Sequence, residues 1–181
     1  MNQEIKNWLL FNQALSGDER AWKLLVVDFR DRLYELIFSI CRSRDIAKDI
    51  VQESFIRLQK RGVPEKKGSF SAYLTTIAFR LALKEKSRNK SESCDTTLDS
   101  EMPAQEFNPL QKVMRAEQVI ALGRAILELE EHHRQVIVLR FQLDHSYLEI
   151  AEILDLPLGT VKSRIFTATK MLLKIMNREG H

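Results

Sequence analysis

The 181 residues predict an all-α protein made of two small helical domains joined by a flexible acidic linker. Three observations carry that prediction. Apolar residues recur at steps of three and four through most of the chain, the period of a helix with one buried face. Glycine is scarce, six residues in all, so few positions favour the tight turns that sheets need. Periodicity lapses once, between Asn89 and Asn108, and resumes beyond it. Residues 1–88 show no strand-like alternation, and the chain has no internal repeat or low-complexity tract.

The elements follow in order. A short helix runs near residues 4–15, with Ile5, Trp8, Leu9 and Leu15 apolar. Ser16-Gly17-Asp18 breaks it, and Asp18 stands where it caps the next helix. There Trp22, Leu25, Phe29, Leu33, Leu36, Ile37 and Ile40 recur at helical steps. A third helix starts near Asp45 and carries Ile46, Ile50, Val51, Phe55 and Leu58. A loop from Arg61 to Ser69 leads to a fourth helix with Phe70, Tyr73, Leu74, Ile77, Ala78 and Leu81 on one stripe. Its outer face and end carry Arg80, Lys84, Lys86, Arg88 and Lys90.

From Asn89 the chain holds Ser91, Ser93, Thr96, Thr97, Ser100, Pro103 and five acids, too little apolar surface to order itself. Asn108-Pro109 restarts helix, with Asn as cap, Pro at the first position and Gln111 as capping-box partner. The boundaries are therefore 1–88, a linker over 89–109, and 110–181. The second domain runs through Val119, Leu122, Ile126 and Leu129, then Val136, Leu139 and Leu143.

Its last part is a helix-turn-helix. Ser146 and Glu149 form a capping box for a helix carrying Ile150 and Leu154. Asp155-Leu156-Pro157 breaks the chain, and Pro157 starts the second helix. Val161, Ile165, Ala168 and Leu172 continue the apolar stripe, which leaves Thr160, Lys162, Ser163, Phe166 and Thr167 on or near the outer face. A helix that begins with small and basic side chains fits the DNA major groove. Lys162 and Arg164 have the reach for phosphate or guanine edges, and Thr160 and Phe166 suit thymine methyls. The bland alternative is a helical hairpin with a solvated charged face. From Pro157 onward five Lys or Arg face a single acid, Glu179, which favours DNA.

Charge along the chain has the same sense. Residues 1–90 hold 18 basic and 11 acidic side chains, residues 91–131 hold 3 and 9, and residues 132–181 hold 7 and 5. Two basic blocks flank an acidic middle, as for two polyanion-facing modules. No stretch approaches the roughly 20 apolar residues of a membrane span, and the start lacks a secretory pattern. Two cysteines without paired spacing suit a reducing cytoplasm, with Cys41 in the core and Cys94 a free thiol. The histidines form no metal set; His132 and His133, being adjacent, point different ways and read as surface. With no nucleophile set, metal cluster or phosphate-binding glycine loop, neither catalysis nor a cofactor is expected.

Three segments resemble a known family. Asp45-Ile46-Ala47-Lys48-Asp49-Ile50-Val51-Gln52-Glu53-Ser54-Phe55 is similar to the polymerase-binding helix of bacterial extracytoplasmic-function (ECF) sigma factors. Phe70 to Ala78 resembles that family's next helix, and Ser146 to Arg164 its C-terminal signature. The match covers nearly the whole chain in order. It implies two domains, regions 2 and 4, and a protein that binds core RNA polymerase and directs it to a promoter. By this resemblance the face of Asp45, Asp49, Gln52 and Glu53 docks on the β′ coiled coil. Region 4 meets the β flap. Arg61, Lys66 and Lys67 of the loop, with Arg80, Lys84 and Arg88, hold a flipped base and melted strand of the −10 element. Gly159, Thr160, Lys162, Ser163, Arg164, Phe166 and Thr167 read the −35 duplex. The linker mimics nucleic acid in the RNA-exit path, and an anti-sigma factor is implied as a further partner. Without the family, the Asp49 face reads as solvated helix, Lys66-Lys67 as solvated loop, and the linker as spacer. Tyr73 reads as core either way.

This sequence also departs from the family pattern. Tyr73 replaces a usual Trp, Phe79-Arg80 stands where Arg-Asn is common, and Glu130 stands where Pro opens a helix. Asp144 and Asp155 replace residues that are often Gly, so both turns need another backbone solution. Thr167 and Thr169 replace basic residues, which implies fewer phosphate contacts. Two alternatives remain: a stand-alone helix-turn-helix regulator, and a sigma-like protein that has lost promoter melting.

Overall fold

The computed structural model describes residues 3–64, 68–91 and 121–179. Among them every regular element is helical: α1 (Gln3–Leu15), α2 (Glu19–Cys41), α3 (Arg44–Arg61), α4 (Phe70–Ser91), α5 (described over 121–128), α6 (Glu131–Ile137), α7 (Tyr147–Leu154) and α8 (Leu158–Glu179). A wide π-helical turn, Val138–Gln142, extends α6. Among the described residues no helix is long and apolar enough to cross a membrane.

The caps follow the sequence closely. Asp18 accepts from the backbone N–H of Arg20 (2.9 Å) and Ala21 (3.2 Å), which starts α2. Its stripe then buries Leu25, Phe29, Leu33, Leu36, Ile37 and Ile40. The first helix is phased differently from expectation. Asn7, Phe11 and Ala14 are buried, whereas Ile5, Leu9 and Leu15 are exposed. Long-range polar contacts set that rotation: Glu4 accepts from the N–H of Phe70 at 2.7 Å, and Trp8 Nε1 donates to Gly68 O at 2.9 Å. Gln3 donates to Asn7 Oδ1 at 3.1 Å and satisfies the buried amide.

The four N-terminal helices pack as one bundle, and α5 to α8 form a second around Leu139, Ile150, Val161 and Ala168. The two bundles are not separate: α2 packs on α6 and the π turn, and α4 packs on α7. Arg134 is buried in this seam. Its Nε donates to Ser39 O of α2 at 2.7 Å, and its Nη1 to Leu129 O at 2.7 Å. Leu127 O, at the end of α5, accepts from both Arg134 and Arg42. Two guanidinium groups thus meet the free carbonyls at a helix C-terminus, where cations are favoured. Lys86 of α4 pairs with Glu131, and His145 Nε2 lies 3.0 Å from Thr75 Oγ1 with both side chains buried. Tyr34 and Phe38 line a cavity of about 110 Å³ in the seam with Ile126, Leu127 and Val138.

Arg42, Asp144 and Asp155 adopt left-handed backbone, with φ of 57°, 57° and 53°. The two aspartates are the solution that the turns around α7 use in place of glycine. The described helix α4 continues through Ser91, and the rest of the linker, including Cys94, falls outside the described residues. Cys41 is half-buried and in contact with the Ala82 carbonyl; burial pushes its thiol up to about 11, leaving little reactive thiolate.

Candidate polymerase and nucleic-acid interfaces

The α3 face is built by its own stripe. Ala47, Ile50, Val51, Ser54, Phe55 and Leu58 turn inward, so Asp45, Asp49 and Gln52 project into solvent and Glu53 is half-buried. Glu53 accepts from Arg57 Nε at 2.6 Å, an intrahelical pair that fixes its carboxylate. Beside Gln52 lies a feature that sequence reasoning missed: a groove of about 750 Å³ between α2 and α3, with Trp22, Val26, Tyr34, Val51, Phe55 and Ile56 on its walls. The signal was present in Trp22 and Ile56. Each is apolar at the margin of a stripe, and each stays partly open to solvent.

The second surface surrounds the loop before α4. Arg61 is exposed at the end of α3, and Gly62, at φ 67°, turns the chain. Tyr73 donates to Gly62 O at 3.3 Å and lies 6.0 Å from Trp8 in a stacked pair. Trp8, Glu4 and Tyr73 therefore clamp both ends of the loop. Lys66 and Lys67 fall outside the described residues. Arg80 and Lys84 are exposed on α4; Arg88 is exposed and pairs with Glu85 at 2.7 Å. Lys86 is turned away from this set and toward Glu131. Phe79 is buried, so the pair Phe79-Arg80 presents only Arg80 outward.

The third surface is the start of α8. The capping box at α7 is complete: Ser146 Oγ accepts from Glu149 N–H, and Glu149 Oε2 accepts from Ser146 N–H. Burial pushes the Glu149 carboxyl up, but hydrogen bonds from Ser146 and from Ser69 outweigh it and hold it below its usual range. Pro157 does not start the helix, contrary to expectation. Its carbonyl accepts from Thr160 N–H (2.9 Å) and Val161 N–H (3.2 Å), which makes it the cap and Leu158 the first helical residue. Gly159, Lys162, Ser163 and Phe166 are exposed, while Thr160, Arg164 and Thr167 are half-buried. Lys170 Nζ sits 4.4 Å from the centre of the Phe166 ring, so that ring is held as a solvent-facing platform. Thr169 donates to Ile165 O at 2.8 Å and turns its hydroxyl back on the helix.

One expectation fails here. His133 is buried, not surface. Adjacent residues on a helix diverge, but at the start of α6 the His132 and His133 rings run side by side with centroids 4.0 Å apart. Packing of α6 on α8 then covers His133.

A capped helix-turn-helix seated against a four-helix bundle defines a class of protein. The family models for sigma-70 region 2 and sigma-70 region 4 match residues 25–92 and 120–172. The chain is 31% identical over 175 residues to the ECF RNA polymerase sigma factor SigW of Bacillus subtilis, covering 90% of this chain and 92% of that one. It is also 31% identical over 183 residues to the ECF RNA polymerase sigma-E factor of Escherichia coli, covering 95% of each. Its fold is that of CnrH, solved with the cytosolic domain of CnrY (TM-score 0.63, 22% identity, 95% of this chain and 97% of that one). It is also that of the sigma factor RpoE of Bartonella quintana, solved with the anti-sigma factor NepR (TM-score 0.65, 21% identity, 86% and 96%). The chain therefore belongs to the ECF family of RNA polymerase sigma factors.

Proposed function

We propose that this chain binds core RNA polymerase, recognises −10 and −35 promoter elements, melts the former and starts transcription of a specific set of genes in the cytoplasm. It works by binding and positioning, with no catalysis of its own. The observation that carries the reading is the pairing of two surfaces in one chain. One is the exposed start of α8 on a capped helix-turn-helix; the other is the exposed basic edge of α4 beside the acidic face of α3. A stand-alone regulator has no use for the second. Asp45, Asp49, Gln52 and Glu53 would meet the β′ coiled coil, with the neighbouring apolar groove adding area. Region 4 would meet the β flap. Arg61, Arg80, Lys84 and Arg88, with Lys66 and Lys67, would take melted −10 DNA. Lys162, Ser163, Arg164 and Phe166, flanked by Gly159, Thr160 and Thr167, would enter the −35 groove. The domain limits of 1–88 and 110–181, with the acidic linker between them, belong to the same proposal.

The seam sets a condition on this reading. Promoter elements named −10 and −35 lie about 25 base pairs apart, or roughly 85 Å at 3.4 Å per pair. Thr75 of α4 and His145 before α7 touch at 3.0 Å. The two DNA readers cannot both engage a promoter with the seam shut, so the closed form must open on polymerase. An anti-sigma partner, like that of the Bartonella relative, would act by holding it shut.

The test is run-off transcription with core polymerase on a promoter library. Lys162→Ala should weaken duplex −35 binding and leave polymerase binding intact, whereas Asp49→Arg should weaken polymerase binding. If neither variant changes transcription, the site assignment is wrong. The buried Phe79 favours one second reading, a polymerase-binding protein that no longer melts promoters, because that position offers no polar contact. Single-stranded −10 probes separate the two: polymerase retained without strand capture would support the second.

A further inference from the structure

Glu130, His132 and His133 precede the residues that grip the seam, and promoter recognition uses none of them. One oxygen or nitrogen from each lies within 4.8 Å of the others, the one such group of three among the described residues. His132 Nδ1 is already 3.5 Å from Glu130 Oε2. The second observation is independent: His133 is 8% exposed, and its Nδ1 is buried without a hydrogen-bond partner. A buried ring nitrogen without a partner is uncommon and calls for an explanation.

We propose that Glu130, His132 and His133 form a binding site for a borderline divalent metal ion of the zinc type. Two imidazoles and one carboxylate are a recognised donor set for Zn²⁺, with a fourth position left to water. Metal bonds of about 2.1 Å put tetrahedral ligands roughly 3.4 Å apart, so the Glu130–His132 pair at 3.5 Å already has the spacing, and the remaining donor separations close from at most 4.8 Å. The local chain brings the three donors together, although the positive end of the α6 dipole opposes a cation. Glu130 is the cap residue of α6 and exposed, and the two rings lie 4.0 Å apart on the first helical turn. Imidazole and carboxylate together select zinc, nickel or copper over magnesium or calcium. Arg164 of α8 lies within electrostatic range of His133 and opposes a cation, which limits the affinity. Glu131 and Arg134, the seam contacts, belong to the same turn, so an ion here fixes the corner that holds region 2.

The experiment uses the full chain without any affinity tag, titrated with Zn²⁺ by calorimetry and with Co²⁺ by visible absorption. We expect one equivalent bound, cobalt bands of a low-coordinate site, and at least tenfold weaker binding in both His132→Ala and Glu130→Gln. These two positions are solvent-accessible, so both variants should fold; circular dichroism checks that. His133→Asn is a third variant, informative only if folded. His181→Ala should bind as the parent does. Equal affinity in parent, His132→Ala and Glu130→Gln would overturn the site, as would loss of binding in His181→Ala alone.

Discussion

Arg42, Asp144 and Asp155 share left-handed backbone for different reasons. The aspartates end elements where glycine is the cheaper residue; ordinary L-residues lose about 1–2 kcal/mol there, and Asp somewhat less. Asp155→Gly should therefore stabilise the protein by roughly 0.5–1 kcal/mol, and Asp155→Ala should destabilise it by a similar amount. Urea unfolding followed by circular dichroism checks both signs. Sequence reading found these turns because both sit where a glycine was missing from the pattern. It missed Arg42, whose conformation is tied to a contact 85 residues away at Leu127 O. Arg42→Gly should keep the bundle folded while loosening the seam, a combination that only a long-range role produces.

At the scale of an element, α8, the proposed −35 reader, offers few anchors. Lys162 projects freely, but Thr167 is half-buried and Thr169 bonds back to Ile165 O. Each phosphate contact contributes about 0.9 to the slope of log affinity against log salt. Thr167→Arg should steepen the slope for −35 duplex by about 0.9, and Lys162→Ala should flatten it by as much. Fluorescence anisotropy across a salt series reads this, and identical slopes would show that neither position meets phosphate. The stripe of this element and the capping box of α7 before it were legible in the sequence because each depends on residues within four positions. The rotation of α1 was not: Glu4 to Phe70 and Trp8 to Gly68 span 66 and 60 residues.

At the scale of the molecule, the seam would govern whether the two proposed readers are available. Arg134 is its centre. Burial, with Arg42 beside it and Glu131 opposing, lowers its pKa to about 10, so it stays charged at neutral pH. Arg134→Ala leaves Ser39 O and Leu129 O without a donor, at about 1–3 kcal/mol each if they stay buried. Seam opening is the cheaper response, and small-angle scattering should show a larger radius of gyration. Acid should act on the same joint. Burial holds the His145 pKa below the ordinary 6.5, with Arg32 adding to it and Glu149 and Asp144 opposing. An undocked His145 therefore takes a proton at higher pH than a docked one. The seam is at full strength above 6.5 and weakens as pH falls below it. Scattering across that range should show expansion in the parent chain and a flatter profile in His145→Gln.

By itself the sequence determined what is local: helix content, the apolar stripes, the caps at Asp18 and Ser146, and the outward start of α8. It also carried the family, through motifs that are contiguous. Only the tertiary structure decided what depends on which surfaces meet. The phase of α1, the burial of Arg134, His133 and His145, the groove beside Gln52, and the closure of region 4 on region 2 all arise there. The reason is range. Periodicity and capping act over a few residues, whereas burial of a charged or ring side chain depends on carbonyls and walls that distant segments bring.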